Sequence, residues 1–117
     1  MTLRFVLTGF VAAAGIIGLT VGGASAQDAK AIYAKECAKC HGDSGAGDGA
    51  MGQKLKDKPS NWTAGGGGLK DLDDAKITES IKKGGGAIGK SKAMPAYPKL
   101  SDAEVTALVA HVKALKK

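Results

Sequence analysis

Cys37, Cys40 and His41 stand in the run Cys37-Ala38-Lys39-Cys40-His41, the most chemically specific stretch of the chain. A Cys-x-x-Cys-His run is the attachment pattern of a c-type haem. Residues three apart on a helix are neighbours on one face, so both thiols reach the two vinyl groups of one porphyrin edge and form thioether links. His41 is then held close enough for its imidazole to reach the iron from the proximal side. Each competing chemistry lacks a companion feature. A dithiol redox centre needs a strand–helix–strand setting, and no strand-like run lies nearby. A closed zinc site needs four ligands, whereas His111 is the single further Cys or His. A disulfide across two intervening residues would be strained.

A low-spin, electron-transferring haem needs a sixth ligand, and Met94 is the expected one. In Ala93-Met94-Pro95 the proline disfavours helix at the residue before it, leaving the thioether on an extended loop. Two rivals stand beside it. Met51 is too near the haem motif in sequence to cross the porphyrin, and His111 sits at the flank of a helical stripe, where a packing histidine is expected. An open sixth position is the remaining alternative.

The elements that must position these groups are helical. Ala29, Ile32, Tyr33, Cys37 and Cys40 form one stripe, which predicts a first helix from about Ala29 to Cys40, capped by Asp28 and stopped by Gly42. From Gly42 to about Asp71 no periodicity appears; a loop this long is unusual in a small domain unless it wraps a ligand. One turn is expected around Leu55, and a glycine corner at 65–68. Asp73 or Asp74 opens a short helix that ends near Lys83, before Gly84. Ser101 and Glu104 form a capping box for the last helix, whose stripe is Val105, Leu108, Val109, Val112 and Leu115.

Residues 1–26 are predicted to be a cleavable secretory signal. Arg4 is followed by an apolar run from Phe5 to about Val21 and by Ala24-Ser25-Ala26, an A-x-A cleavage site. Retention of that run as an anchor is the one route to membrane association. Residues 27–117 then make a single domain, which keeps 13 of the 18 glycines and three aromatics, Tyr33, Trp62 and Tyr97. A chain of this size and composition buries little apolar surface against its backbone entropy, and a haem would complete its core. With 16 lysines against 11 acidic residues, the mature part carries a formal charge of +5. That excess suits an acidic partner. Nucleic acid is not expected, because no arginine follows Arg4 and the lysines are dispersed.

Three further patterns carry no function. Gly84 to Ser91 matches the P-loop letters, and Gly47–Gly52 and Gly84–Gly89 both match G-x-G-x-x-G. Each mechanism needs a preceding strand, so no nucleotide is expected. Asp43 to Gly49 places Gly45 and Gly47 where a calcium loop needs oxygen ligands.

With Cys37-Ala38-Lys39-Cys40-His41-Gly42 early and Met94-Pro95-Ala96-Tyr97 far downstream, the chain resembles the class I c-type cytochromes, small monohaem proteins of bacterial respiratory and photosynthetic chains. The resemblance covers residues 28–117. It implies an all-α fold of three to five helices around one covalently bound haem, with the first and last helices crossing. It further implies that a Pro59 carbonyl accepts the proximal imidazole N–H, and that Trp62 stands where a tryptophan can bond a haem propionate. One departure is His111, where the family usually presents an aromatic to the first helix.

The function expected is that of a monomeric periplasmic one-electron carrier, not itself an enzyme, passing electrons between redox proteins through a docking patch that is acidic on the partner. The alternative is a haem c subunit of a dehydrogenase or reductase, or an open-site haem acting on a small ligand.

Overall fold

The computed structural model describes residues 23–65 and 67–116. The predicted signal therefore lies almost wholly outside the described residues. Among the described residues there are helices and turns and no strand.

Helix α1 spans Ala26–Ile32 and begins three residues earlier than the sequence suggested. Asp28 is not its cap. Ser25 is the N-cap, accepting the Asp28 N–H at 3.2 Å, while the Asp28 carboxylate accepts the Ser25 N–H at 2.9 Å. This reciprocal capping box satisfies two donors that a helix start leaves without partners. Asp28 is thus the third residue of the helix, where its negative charge also suits the helix dipole. Cleavage after Ala26 would remove Ser25 and the box with it.

A second difference follows. The expected continuous helix is interrupted by a wide π-helical turn, Tyr33–Cys37, in which the Ala38 N–H reaches back to the Tyr33 carbonyl. Helix α2, Ala38–His41, then carries the haem motif after Cys37, which caps it from the wide turn. Gly42 ends it with φ +79, a backbone conformation that residues with a Cβ rarely adopt.

The long connection after Gly42 is folded back onto α2 by its own main chain. Gly47 N–H donates to the His41 carbonyl at 2.8 Å, Met51 N–H to Lys39 at 2.9 Å, and Trp62 N–H to Gly45 at 2.8 Å. Gly52 opens the single turn Gly52–Lys54. A Cβ there would run into the Cys40 carbonyl, so this close approach requires glycine. A further turn occupies Gly67–Leu69.

Helix α3 runs over Asp74–Lys83, with Asp73 accepting the Lys76 N–H at 2.8 Å and Gly84 at its end. Helix α4, Asp102–Leu115, starts at Ser101, whose hydroxyl accepts the Glu104 N–H at 3.1 Å. Its buried face is Val105, Leu108, Val109 and Val112. Helix α1 packs on α4, and α3 packs on both α4 and the turn Gly85–Ile88. The exposed pairs Lys113–Asp74, at 2.7 Å, and Lys82–Asp102 join α3 and its neighbour α4 at the surface; such pairs are screened and add little. The P-loop letters begin at Gly84, which caps α3, and run over the turn Gly85–Ile88, with no strand before them among the described residues.

At the α1–α4 contact the ring of His111 lies against Tyr33, centroids 4.9 Å apart and planes tilted by 51°. The imidazole thus fills the place of the expected aromatic. Burial, with the Lys30 ammonium nearby, holds His111 below its ordinary value of 6.5. The folded state therefore favours the neutral ring. The stability it contributes is complete above pH ~6.5 and is lost as pH falls through the depressed folded value. Denaturant midpoints should accordingly drop more steeply between pH 7 and pH 5 for the wild type than for His111→Phe, which keeps a ring against Tyr33. Parallel slopes would show that His111 does not couple packing to pH.

Candidate functional site

The haem-motif residues converge on one cavity. It has a volume of about 370 Å³, a predominantly apolar wall, and lining residues drawn from the wide turn, α2, the long loop, α3, the Met94 segment and α4. Cys37 and Cys40 line it as free thiols from the wide turn and α2. His41, from the end of α2, lines it too, as do Pro59 and Trp62 from the long loop and Met94 from the segment after α3. Leu69, Ile77, Ile81, Leu108 and Val112 supply apolar wall. The six residues singled out in the sequence are therefore brought together. The two rivals for the sixth position are not among the lining residues: Met51 is 54% exposed, and His111 is on the α1–α4 side against Tyr33.

The chemistry of these groups fits a covalently held haem and fits a dithiol centre poorly. Burial, reinforced by the Glu36 carboxylate, pushes the Cys37 thiol up to about 11. Redox-active Cys-x-x-Cys pairs have their thiol lowered, the opposite direction. Burial also holds His41 below its ordinary 6.5, which keeps the imidazole neutral, the form with a lone pair for a metal. Nδ1 of His41 is buried and makes no hydrogen bond among the described residues. A buried polar atom without a partner is costly, and a metal-bound imidazole uses one ring nitrogen for the metal and the other for a supporting hydrogen bond. Among the described residues no group of three or more His, Cys, Asp and Glu could hold a metal ion.

Two further contacts concern the proximal imidazole. The His41 ring is stacked on Trp62, centroids 4.5 Å apart and planes 26° from parallel. Trp62 therefore braces the imidazole from one face. The bond expected from His41 to the Pro59 carbonyl is not made. That carbonyl faces Gly47, where an added Cβ would come within 2.5 Å of it.

Two phenols that the sequence did not mark as functional tie the site together. Tyr33, 2% exposed, donates its O–H to the Gly42 carbonyl at 2.7 Å. This fixes the end of α2 directly beside His41. Tyr97 donates its O–H to the Glu36 carbonyl at 3.1 Å. The aromatic residue type was the one available signal for either.

Comparison with known proteins settles the family. Residues 24–112 match the family model described as cytochrome c oxidase, cbb3-type, subunit III. The chain is a member of that c-type cytochrome family. It is similar to the cbb3-type cytochrome c oxidase subunit CcoP of Azospirillum brasilense, 32% identical over 93 residues, covering 76% of this chain and 28% of the relative. It is also similar to the corresponding subunit FixP of Azorhizobium caulinodans, 36% identical over 93 residues, covering 78% and 27%. The chain thus spans under a third of the length of the curated relatives it matches. Among solved structures it resembles the reducing HAO-like protein complex of Kuenenia stuttgartiensis, with a TM-score of 0.61 and 25% identity over 77% of this chain and 42% of that one. This cytochrome domain accordingly has the cytochrome c fold, binds haem c covalently, and belongs to a family whose chemistry is haem-based electron transfer.

Proposed function

We propose that this cytochrome domain is a one-electron carrier of the periplasm, with residues 1–26 removed as a signal and residues 27–117 forming a monohaem domain. The observation that carries the reading is the placement of a Cys-x-x-Cys-His run and a Met-Pro loop on one apolar cavity. Cys37 and Cys40 would hold the porphyrin, and His41 and Met94 would ligate its iron. The haem, when bound, supplies the Fe(III)/Fe(II) couple. The chain's own work is to hold two unlike ligands in fixed geometry, keep water from the iron, and present one edge to a partner. A low-polarity wall and fixed ligation lower the reorganisation that accompanies each electron transfer, because little has to move when the charge changes.

The partner-facing edge is basic. Lys39, Lys58 and Lys90 line the cavity, and Lys56, Lys90 and Lys92 line an adjoining groove of about 580 Å³. These ammonium groups are exposed, so they cost nothing to bury and act through long-range steering. A redox protein with an acidic patch fits this edge. No helix among the described residues is long and apolar enough to cross a membrane.

Rapid mixing of the reduced holoprotein with an acidic redox protein tests the proposal. The bimolecular rate should fall as salt rises, since the screening length shrinks from about 10 Å at 0.1 M to about 3 Å at 1 M. Lys90→Glu with Lys92→Glu should slow the reaction more than the same change at Lys116 and Lys117. A rate that climbs with salt would reverse the sign of the partner, and equal effects at both pairs would reduce the patch to net charge. A second reading, a cytochrome domain working within an oxidase assembly, is favoured by the names of the relatives. Recovery of the native protein in one particle with other haem-bearing subunits would favour it over the free carrier.

A further inference from the structure

The segment that carries Met94 is held by its main chain to one side of the cavity. Gly85 N–H donates to the Met94 carbonyl at 3.1 Å, and Tyr97 N–H donates to the Ile81 carbonyl at 2.9 Å. Both partners belong to α3 or the turn after it. Lys92, Ala93, Pro95 and Ala96 on either side of Met94 are exposed, so the packing of this loop rests on Met94 and Tyr97, both partly buried against the core. The Tyr97 phenol runs the other way. It reaches across 61 residues to the Glu36 carbonyl, in the wide turn and directly before Cys37. Among the described residues this is the one hydrogen bond between the Met94 loop and the segment bearing the haem motif. Tyr97 lines the same cavity as Met94 and Cys37, and packs against the core.

We propose that Tyr97 is a positioning residue for the sixth ligand: its phenol ties the Met94 loop to the segment that holds Cys37, and so limits how far the Met94 sulfur departs from an iron held by His41. The proposal rests on Met94 being that ligand. A loop tied on one side swings about that side, and a bond on the opposite side removes the swing. Glu36 and Cys37 move with the porphyrin once the thioether forms, so the tie is to the haem itself in all but name.

Tyr97→Phe keeps the ring and deletes the bond. In the reduced holoprotein CO enters only when Met94 leaves, so its combination rate should rise roughly fivefold, the order set by losing one neutral hydrogen bond. The weak far-red sulfur-to-iron band of the oxidised form should also be lost at milder denaturant than the helical signal, whereas in the wild type the two are lost together. Val109→Ala, which loosens the α4 core away from the cavity, serves as the comparison. If it accelerates CO as much as Tyr97→Phe, the effect is general loosening and the proposal falls. A Tyr97→Phe rate within twofold of a slow wild-type rate overturns the tie alone. Fast CO binding by the wild type, with no far-red band, overturns Met94 ligation itself.

Discussion

Cys37→Ala combined with Cys40→Ala should yield a chain without stable tertiary structure. The reason is the cavity. The residues facing it include Tyr33, Trp62, Leu69, Ile77, Ile81, Leu108 and Val112, seven of the eleven buried apolar side chains among the described residues. An empty space of about 370 Å³, at ~24 cal/mol per Å³ of residual cavity, costs about 9 kcal/mol. Total stability for a domain of this size is ~5–15 kcal/mol. The remaining helix contacts cannot offset such a loss, since the exposed ion pairs contribute little and α2 is four residues long. Collapse of the wall would reduce the cost only by giving up the native arrangement. Far-UV circular dichroism should show much reduced helix, with no cooperative thermal transition. A cooperative apo-protein with near-native melting would mean that the helices need no haem to pack.

Met94→Ala should turn a closed haem into one that binds exogenous ligands. With a Met-dissociated form populated at roughly 0.1–10%, removing the thioether should tighten CO binding to the reduced protein by about 10- to 1000-fold. The oxidised protein should lose its far-red band, and the potential should fall, because thioether ligation favours Fe(II). His41, Cys37 and Cys40 are untouched, so covalent haem should survive. The outcome that sinks the assignment is an unchanged band and unchanged CO affinity. The same measurements on Met51→Ala and His111→Ala would then identify the ligand. Neither is expected to matter, since Met51 is in solvent and His111 is occupied with Tyr33.

What the sequence determined by itself is local in kind. The haem motif is five residues long, and its chemistry is read from residue type and spacing without knowledge of the fold. Asp73, Ser101, Gly42 and Gly84 bound their helices because a cap acts within one turn. The stripe of α4 is legible because a 3.6-residue period puts Val105, Leu108, Val109 and Val112 on one side whatever they pack against. Even here a competition between neighbours was hidden. Ser25 and Asp28 are both good capping residues, and the reciprocal bond between them placed the start of α1 three residues earlier than Asp28 alone implied.

Only the tertiary structure decided how the long loop closes and what ties the cavity together. The wide turn at Tyr33–Cys37 has no composition signal, because a π turn is a rare single-turn interruption of a helix and no residue type marks where it falls. Tyr33 finds Gly42 nine residues away, and Tyr97 finds Glu36 across 61. Hydrogen bonds over such separations depend on where the backbone has been brought, and no property of a tyrosine in a sequence says which carbonyl it will meet. His111 shows the same logic from the other side. Its type suggested a break from the family pattern, and its place against Tyr33 makes it a replacement for the missing aromatic.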